Sequence, residues 1–204
     1  MTPGERANLY AVLSRVWVQE LDTAAAARLS GPLGEVLLPG FWASDERHVL
    51  AGGSVEERQA VFDADYVHIT VVNLVPYGSF YRSPTGVVEA GAANPIVSFF
   101  NTCGFEVNLA AARSLSPDHI GILLELLAHL CEAEAEAEAR PDVAYANEIR
   151  ELQARLLRDH MLDWVPLYLF AVQRCAHTLF YREVAEVTMD FVASHFQELV
   201  DGAA

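Results

Sequence analysis

Apolar residues recur at helical spacing along almost the whole chain. Leu9, Val12, Leu13, Val16 and Trp17 follow the i, i+3, i+4, i+7, i+8 pattern of one buried helix face. Asp22 to Leu29 reads as a short second helix, punctuated by Gly31 and Pro32. Leu33 to Leu38 adds another turn or two before Pro39 and Gly40. Residues 43–54 read as a surface connection closed by Gly52 and Gly53. Ser54 then caps a helix with Glu56 and Glu57 in its first turn, and the helix runs through Phe62, Tyr66 and Ile69 to Asn73. Its Val67–Val72 portion is rich in β-branched residues and has strand propensity. No hairpin partner stands beside it, and a lone strand leaves its backbone unsatisfied, so helix is the expectation.

The stretch from Val75 to Gly86 holds two prolines and two glycines, which forbid a continuous helix, and three aromatics, unusual for a loop. Asn94 and Pro95 open a helix to about Cys103, stopped by Gly104. At the next boundary Ser116 reads as the cap, Pro117 as the first helical residue, and Asp118 as a first-turn acid against the positive end of the dipole. Leu123, Leu124, Leu126, Leu127 and Leu130 supply a broad buried face. That helix ends in Glu132, Glu134, Glu136 and Glu138, alternating with alanines and read as a solvated face or frayed end. Asp142 caps a further helix carrying Ile149, Leu152, Leu156 and Leu157, which ends near His160. Asp163 caps another with Pro166 in its first turn. The last runs from about Tyr181 to Leu199, with Val184, Val187, Phe191, Val192 and Phe196 inward. The pattern predicts an all-α, single-domain bundle of about eight to ten helices spanning residues 1–204.

Composition narrows the function classes. The 204 residues carry 13 Lys and Arg against 28 Asp and Glu, a formal charge of −15, and 52% of them are hydrophobic. A disordered chain is less apolar, and phosphate is repelled by such a surface, so disorder and nucleic-acid binding are set aside. A chain of this length buries roughly 70% of its unfolded surface, enough for one core or two closely packed lobes. Cys103, Cys131 and Cys175 are isolated and odd in number, which argues against a disulfide framework or thiolate zinc site and for a reducing compartment. Cys131 and Cys175 read as small core residues. The start of the chain shows no signal-peptide pattern and no apolar run is long enough to span a bilayer, so a cytoplasmic location is expected.

The sequence has no nucleophile elbow, phosphate loop or dinucleotide fingerprint, and its seven histidines form no zinc or di-iron motif. In the predicted helix Asp118, Glu125 and His129 share one face. With His119 they make the alternative reading, a helical small-ligand or metal-dependent enzyme. Three junctions stand out more: Pro76-Tyr77-Gly78-Ser79-Phe80-Tyr81, then Ser116-Pro117-Asp118-His119, then His160-Met161-Leu162-Asp163-Trp164-Val165-Pro166. Each alone is a packing junction. Together they would line an apolar groove with an anionic rim.

In this order, completed by Phe180-Tyr181, these segments resemble the TorD/DmsD/NarJ type of redox-enzyme maturation chaperones over about residues 6–196. The chain departs from that pattern at Tyr66-Val67-His68-Ile69-Thr70, at the shortened Ser116-Pro117-Asp118-His119, and at Gly78, where the family has Glu. The resemblance implies a TorD-like helical cytoplasmic chaperone, not an enzyme, without a cofactor or metal of its own, and a monomer or domain-swapped dimer. Its partner would be the catalytic subunit of a molybdenum-cofactor oxidoreductase, bound through a twin-arginine leader. Carried over by position, the implied peptide contacts are Tyr66, Pro76, Tyr77, Ser79, Tyr81, Pro117, Asp118, His119 and Trp164. The net negative charge would steer a basic leader. A third reading is an acidic helical adaptor with no role toward a signal peptide.

Overall fold

In a computed structural model the described residues, 1–202, are helical throughout, joined by turns and loops, with one isolated β-bridge. Among the described residues there are twelve helices, counting 55–72 and 143–161 as one each and leaving aside the short 3-10 turn at Gly91–Ala93, against about eight to ten expected. Pro32 opens the expected extra turns as Pro32–Leu37. The surplus is Pro39–Ala43, opened by Pro39, Arg47–Gly52 inside the expected surface connection, and Gly78–Arg82 inside the loop of prolines and glycines. No helix among the described residues is long and apolar enough to cross a membrane.

The chain divides into two compact units, each built from discontinuous segments. The first comprises Met1–Val18, Tyr77–Val165 and Val192–Ala204. Its main helices are Pro3–Val18, Ile120–Ala139 and Val143–Leu156, the last continued by a π-helical turn at Leu157–Met161. The Ile120–Ala139 helix is buried on almost every side, and Glu125, His129, Glu132 and Glu136 form its solvent stripe. Leu123, Leu124, Leu126, Leu127 and Leu130 are buried as expected, each contributing about 1.5–3 kcal/mol of transfer free energy. Gly121 permits the close approach of Val18: a Cβ there would stand 2.8 Å from the Val18 backbone nitrogen.

Four of the five positions expected on the inward face of the first helix, Val12, Leu13, Val16 and Trp17, are buried, and Leu9 is half-buried; two residues outside that pattern, Arg6 and Tyr10, are buried as well. Both carry polar ends to internal partners. Tyr10 Oη lies 2.8 Å from His195 Nδ1, and Arg6 Nη2 donates to Glu134 Oε2 at 3.1 Å. Glu134 is therefore no part of a solvated run. It is 1% exposed and also accepts from Arg150 Nε at 2.7 Å and Gln153 Nε2 at 2.9 Å. Glu132, Glu136 and Glu138 remain exposed, as read.

The second unit comprises Gln19–Pro76 and Pro166–Phe191. Phe41, Phe62 and Phe180 pack edge to face with ring centroids 5.3–6.1 Å apart, the arrangement favoured by aromatic quadrupoles. Ser54 makes a capping box with Glu57, and the 55–72 stretch is helical despite its β-branched run, with π turns at Gln59–Asp63 and His68–Val72. Packing of Phe62, Tyr66 and Ile69 overrides local propensity. Two acids from distant sequence satisfy the start of the Leu179–Asp201 helix. Asp65 accepts from the Thr178 amide at 2.8 Å and its hydroxyl at 2.7 Å, and Glu46 accepts from the Leu179 amide at 2.9 Å. These carboxylates neutralise both the orphan donors and the dipole.

Candidate functional site

The aromatic loop and the Asp-His junction meet in the first unit. Tyr77 and His119 pair as an isolated antiparallel bridge, and the Gly78 amide donates to the Asp118 carbonyl at 3.2 Å. The Tyr77 ring stands edge-on to His119 at 5.1 Å, and its hydroxyl accepts from the Leu115 amide at 3.1 Å. This bridge corrects one expectation. The helix starts at Ile120, so Ser116, Pro117 and Asp118 precede it, and the cap is His119, whose Nδ1 accepts from the Gly121 amide at 3.1 Å. Asp118 is not a first-turn dipole partner.

Asp118 instead ties the two segments together. Its Oδ2 accepts from the Ser79 amide, and its Oδ1 lies 2.6 Å from the Ser116 hydroxyl. The single Ser116 proton is shared between Asp118 and the Glu89 carbonyl at 2.7 Å. Asn94 Nδ2 adds donors to the Glu89 carbonyl at 2.9 Å and to Ser116 Oγ at 3.0 Å. Ser79 Oγ in turn accepts from the Glu89 amide at 3.0 Å. The result is a buried polar network of the kind that specifies one arrangement when every member is satisfied.

Trp164 completes the wall. Its indole nitrogen donates to the His160 carbonyl at 2.8 Å, and Tyr81 stacks on it at 5.4 Å. Gly78 is required beneath the indole, because a Cβ there would lie 2.8 Å from Trp164 Nε1. Burial pushes the Tyr81 phenol up to about 12. Asp163 does not cap the following helix. It binds Arg82 in a bidentate pair, Nε and Nη2 each at 2.7 Å from a carboxylate oxygen. This half-exposed pair ties the loop to the Trp164 corner with geometric precision rather than large energy.

Burial sorts the expected contacts. Trp164 is 0% exposed, Asp118 3%, His119 4%, Tyr77 8% and Ser79 9%. Pro117 and Pro76 are buried too, while Tyr81 is half-buried. Tyr77, Ser79, Tyr81, Pro117, Asp118, His119 and Trp164 belong to the first unit. Pro76 ends a segment of the second, and Tyr66 lies within the second, its ring 6.2 Å from that of Tyr181. Beside Ser79 and Asp118 opens a cleft of about 600 Å³, lined by Arg82, Pro84, Val87 and Val88, with Glu89 exposed at its edge. Glu89, Asn94 and Arg82 are site residues that motif reading passed over. Their roles arise from partners 5 to 81 residues away, which no local spacing reveals.

The alternative enzymatic constellation is not assembled. Glu125 and His129 lie on the solvent stripe of the Ile120–Ala139 helix, while Asp118 is off the helix and buried. Among the described residues no group of three or more His, Cys, Asp or Glu is placed to hold a metal ion. All three cysteines are free thiols, and burial pushes Cys131 up to about 12, in keeping with a core residue.

His119 gives the site a pH signature. Burial lowers it from 6.5 to about 4, with Asp118 opposing. Between those values the unfolded chain binds the proton and the folded chain does not, so the stability contribution is complete above 6.5 and is lost as pH falls toward 4. The slope for this group is about 1.4 kcal/mol per pH unit. Burial lowers His195 to about 4 as well, adding a loss of the same sign. Urea midpoints should fall as pH drops through this window, and less steeply in His119→Asn, which keeps a capping acceptor without the titration. An unchanged slope in that variant overturns the assignment.

The protein-family model described as nitrate reductase delta subunit matches residues 38–169, which takes in the Tyr77, Asp118 and Trp164 segments. No curated protein and no solved structure gives a match to the chain.

Proposed function

This chain belongs to the nitrate reductase delta subunit family, and from that premise we propose that it is a maturation chaperone for the catalytic subunit of a molybdenum-cofactor oxidoreductase. It acts by binding rather than catalysis, in the cytoplasm, holding the immature subunit for cofactor insertion before export. The observation that carries the reading is the family match across 38–169, which contains the whole bonded junction of Tyr77, Ser79, Asp118 and Trp164.

In this reading the twin-arginine leader enters the cleft beside Ser79. Its apolar part lies over Val87, Val88 and Pro84, and a guanidinium meets the exposed Glu89 carboxylate. Tyr81, supported by Trp164, offers the accessible aromatic face. Tyr77, Pro117, His119 and Asp118 shape this site from beneath, with Pro76 setting the loop's entry. Tyr66, in the other unit, serves packing against Tyr181. The net charge of −15 speeds encounter with a basic leader, an effect that rising salt weakens.

Co-purification with the tagged protein tests the reading. Recovery of a molybdoenzyme catalytic subunit is expected, and its consistent absence overturns the proposal. Titration of that subunit's leader peptide should show about a five- to tenfold weaker affinity for Glu89→Gln and for Tyr81→Ala. Unchanged affinity in both variants overturns the placement in this cleft.

A further inference from the structure

Residues 87–90 follow Gly86, whose φ of +65° turns the chain, and belong to no helix; Ala90 is extended, with φ −89° and ψ 154°. The backbone of Glu89 is engaged on one side. Its amide donates to Ser79 Oγ at 3.0 Å, and its carbonyl accepts from Asn94 Nδ2 at 2.9 Å and from Ser116 Oγ at 2.7 Å. In extended chain, successive residues turn their N–H and C=O groups to opposite sides. Val88 and Ala90 therefore direct theirs away from Ser79, and those groups make no hydrogen bond among the described residues. This is the bonding pattern of an edge strand with its inner side spent and its outer side open. The inner bonds hold the segment in place before anything binds, so little ordering is left to be done on binding.

The side chains alternate as well. Val87, 59% exposed, and Glu89, exposed and in no salt bridge among the described residues, share one face. Val88, on the other face, is half-buried. A strand added to the outer edge sets one residue opposite Glu89 and the next but one opposite Val87. Its complement is therefore a basic residue and an apolar residue two positions apart. In a helix such residues do not face the same way, so the pattern selects an extended segment.

We infer that residues 87–90 bind the client by strand addition. An extended, basic client segment lies along the outer edge and exchanges backbone hydrogen bonds with Val88 and Ala90. It sets a cation against the Glu89 carboxylate and an apolar side chain against Val87. The inference rests on the chaperone reading for the source of the segment, and adds to it the conformation in which that segment is held.

The test uses the full-length protein and a fluorescein-labelled, acetylated peptide of threonines carrying one arginine and, two positions on, one leucine. Ala90→Pro removes a donor that bonds nothing in the free protein, at a φ that proline approaches, so circular dichroism and the urea midpoint should match wild type. Its affinity for the peptide should fall about tenfold, through one lost hydrogen bond and an obstructed edge. In hydrogen exchange the Val88 and Ala90 amides should gain protection on peptide binding, while the Glu89 amide keeps what it had. N-methylation of single peptide amides should weaken binding at alternate positions and be tolerated between them. Equal affinity of wild type and Ala90→Pro overturns the edge, as do N-methyl effects without alternation, or a wild type that does not bind the peptide. Client co-purification reports on the chaperone reading separately. A recovered client with a peptide titration that responds to Glu89→Gln and ignores Ala90→Pro removes strand addition alone. An alternating N-methyl pattern with no client keeps the edge and removes the chaperone reading.

Discussion

Glu134→Ala is expected to destabilise the protein by about 3–5 kcal/mol, the range seen when one member of a buried ion network is removed. Glu134 is 1% exposed and accepts from Arg6, Arg150 and Gln153, at 3.1, 2.7 and 2.9 Å. Its partners are not equally vulnerable. Arg150 is more exposed, with Glu138 and Asn147 still within reach. Arg6 is not free to move: burial alone would lower its pKa, and the charge of Glu134 outweighs that and holds it above the ordinary value. Without Glu134 the guanidinium keeps the Met1 carbonyl at 2.8 Å and the longer contact to Glu198. Urea unfolding followed by circular dichroism measures the loss. Arg6→Met combined with Glu134→Met should recover most of it, because a packed apolar pair needs no charge desolvation. A loss under about 1 kcal/mol for Glu134→Ala would mean that the network behaves like a surface pair.

Asp118→Ala carries the second large effect, about 2–4 kcal/mol. The substitution leaves the Ser79 amide and the Ser116 hydroxyl short of an acceptor inside the network, at about 1–3 kcal/mol for each donor left unmet. Ser116 has the Glu89 carbonyl in reserve, so the larger share falls on Ser79. Asp118→Asn should cost less, since one amide oxygen can still accept from Ser79. Hydrogen exchange separates this account from general loosening. The Ser79 amide should lose protection strongly in Asp118→Ala and partly in Asp118→Asn, while amides in the middle of the Ile120–Ala139 helix keep theirs. A Ser79 amide that stays protected in Asp118→Ala would refute the role. Loss of leader binding in Asp118→Ala then follows from a displaced Ser79 loop, so Glu89→Gln is the cleaner probe of direct contact.

Several elements were legible from the chain itself. Ser54 and Asp142 cap the helices expected of them, because an N-cap is a contact over three residues, and Asp22, expected as the first residue of its short helix, is the cap of that helix. Gly104 ends its helix with φ +63°, and the leucines of the Ile120–Ala139 helix are buried, because periodicity of 3.6 is a property of local sequence. The Ser116 and Asp163 caps failed because each side chain is engaged elsewhere: Ser116 by Asp118 two residues on and by the Glu89 carbonyl 27 residues away, Asp163 by Arg82 81 residues away.

The sequence by itself determined an all-helical chain, its principal helices, its acidity and three segments worth attention, since helix formation and capping depend on neighbours within a few positions. Only the tertiary structure decided what the charged residues in those segments do. Glu134 looks alike in sequence to the exposed Glu132 and Glu136, and the junction that holds Asp118 stands out without its local pattern showing that this carboxylate is buried. Burial separates them: once water is removed a carboxylate must find donors, and Asp118 finds Ser79 and Ser116 while Glu134 finds Arg6, Arg150 and Gln153. Those donors lie up to 128 residues away along the chain, so the fold alone brings them within reach.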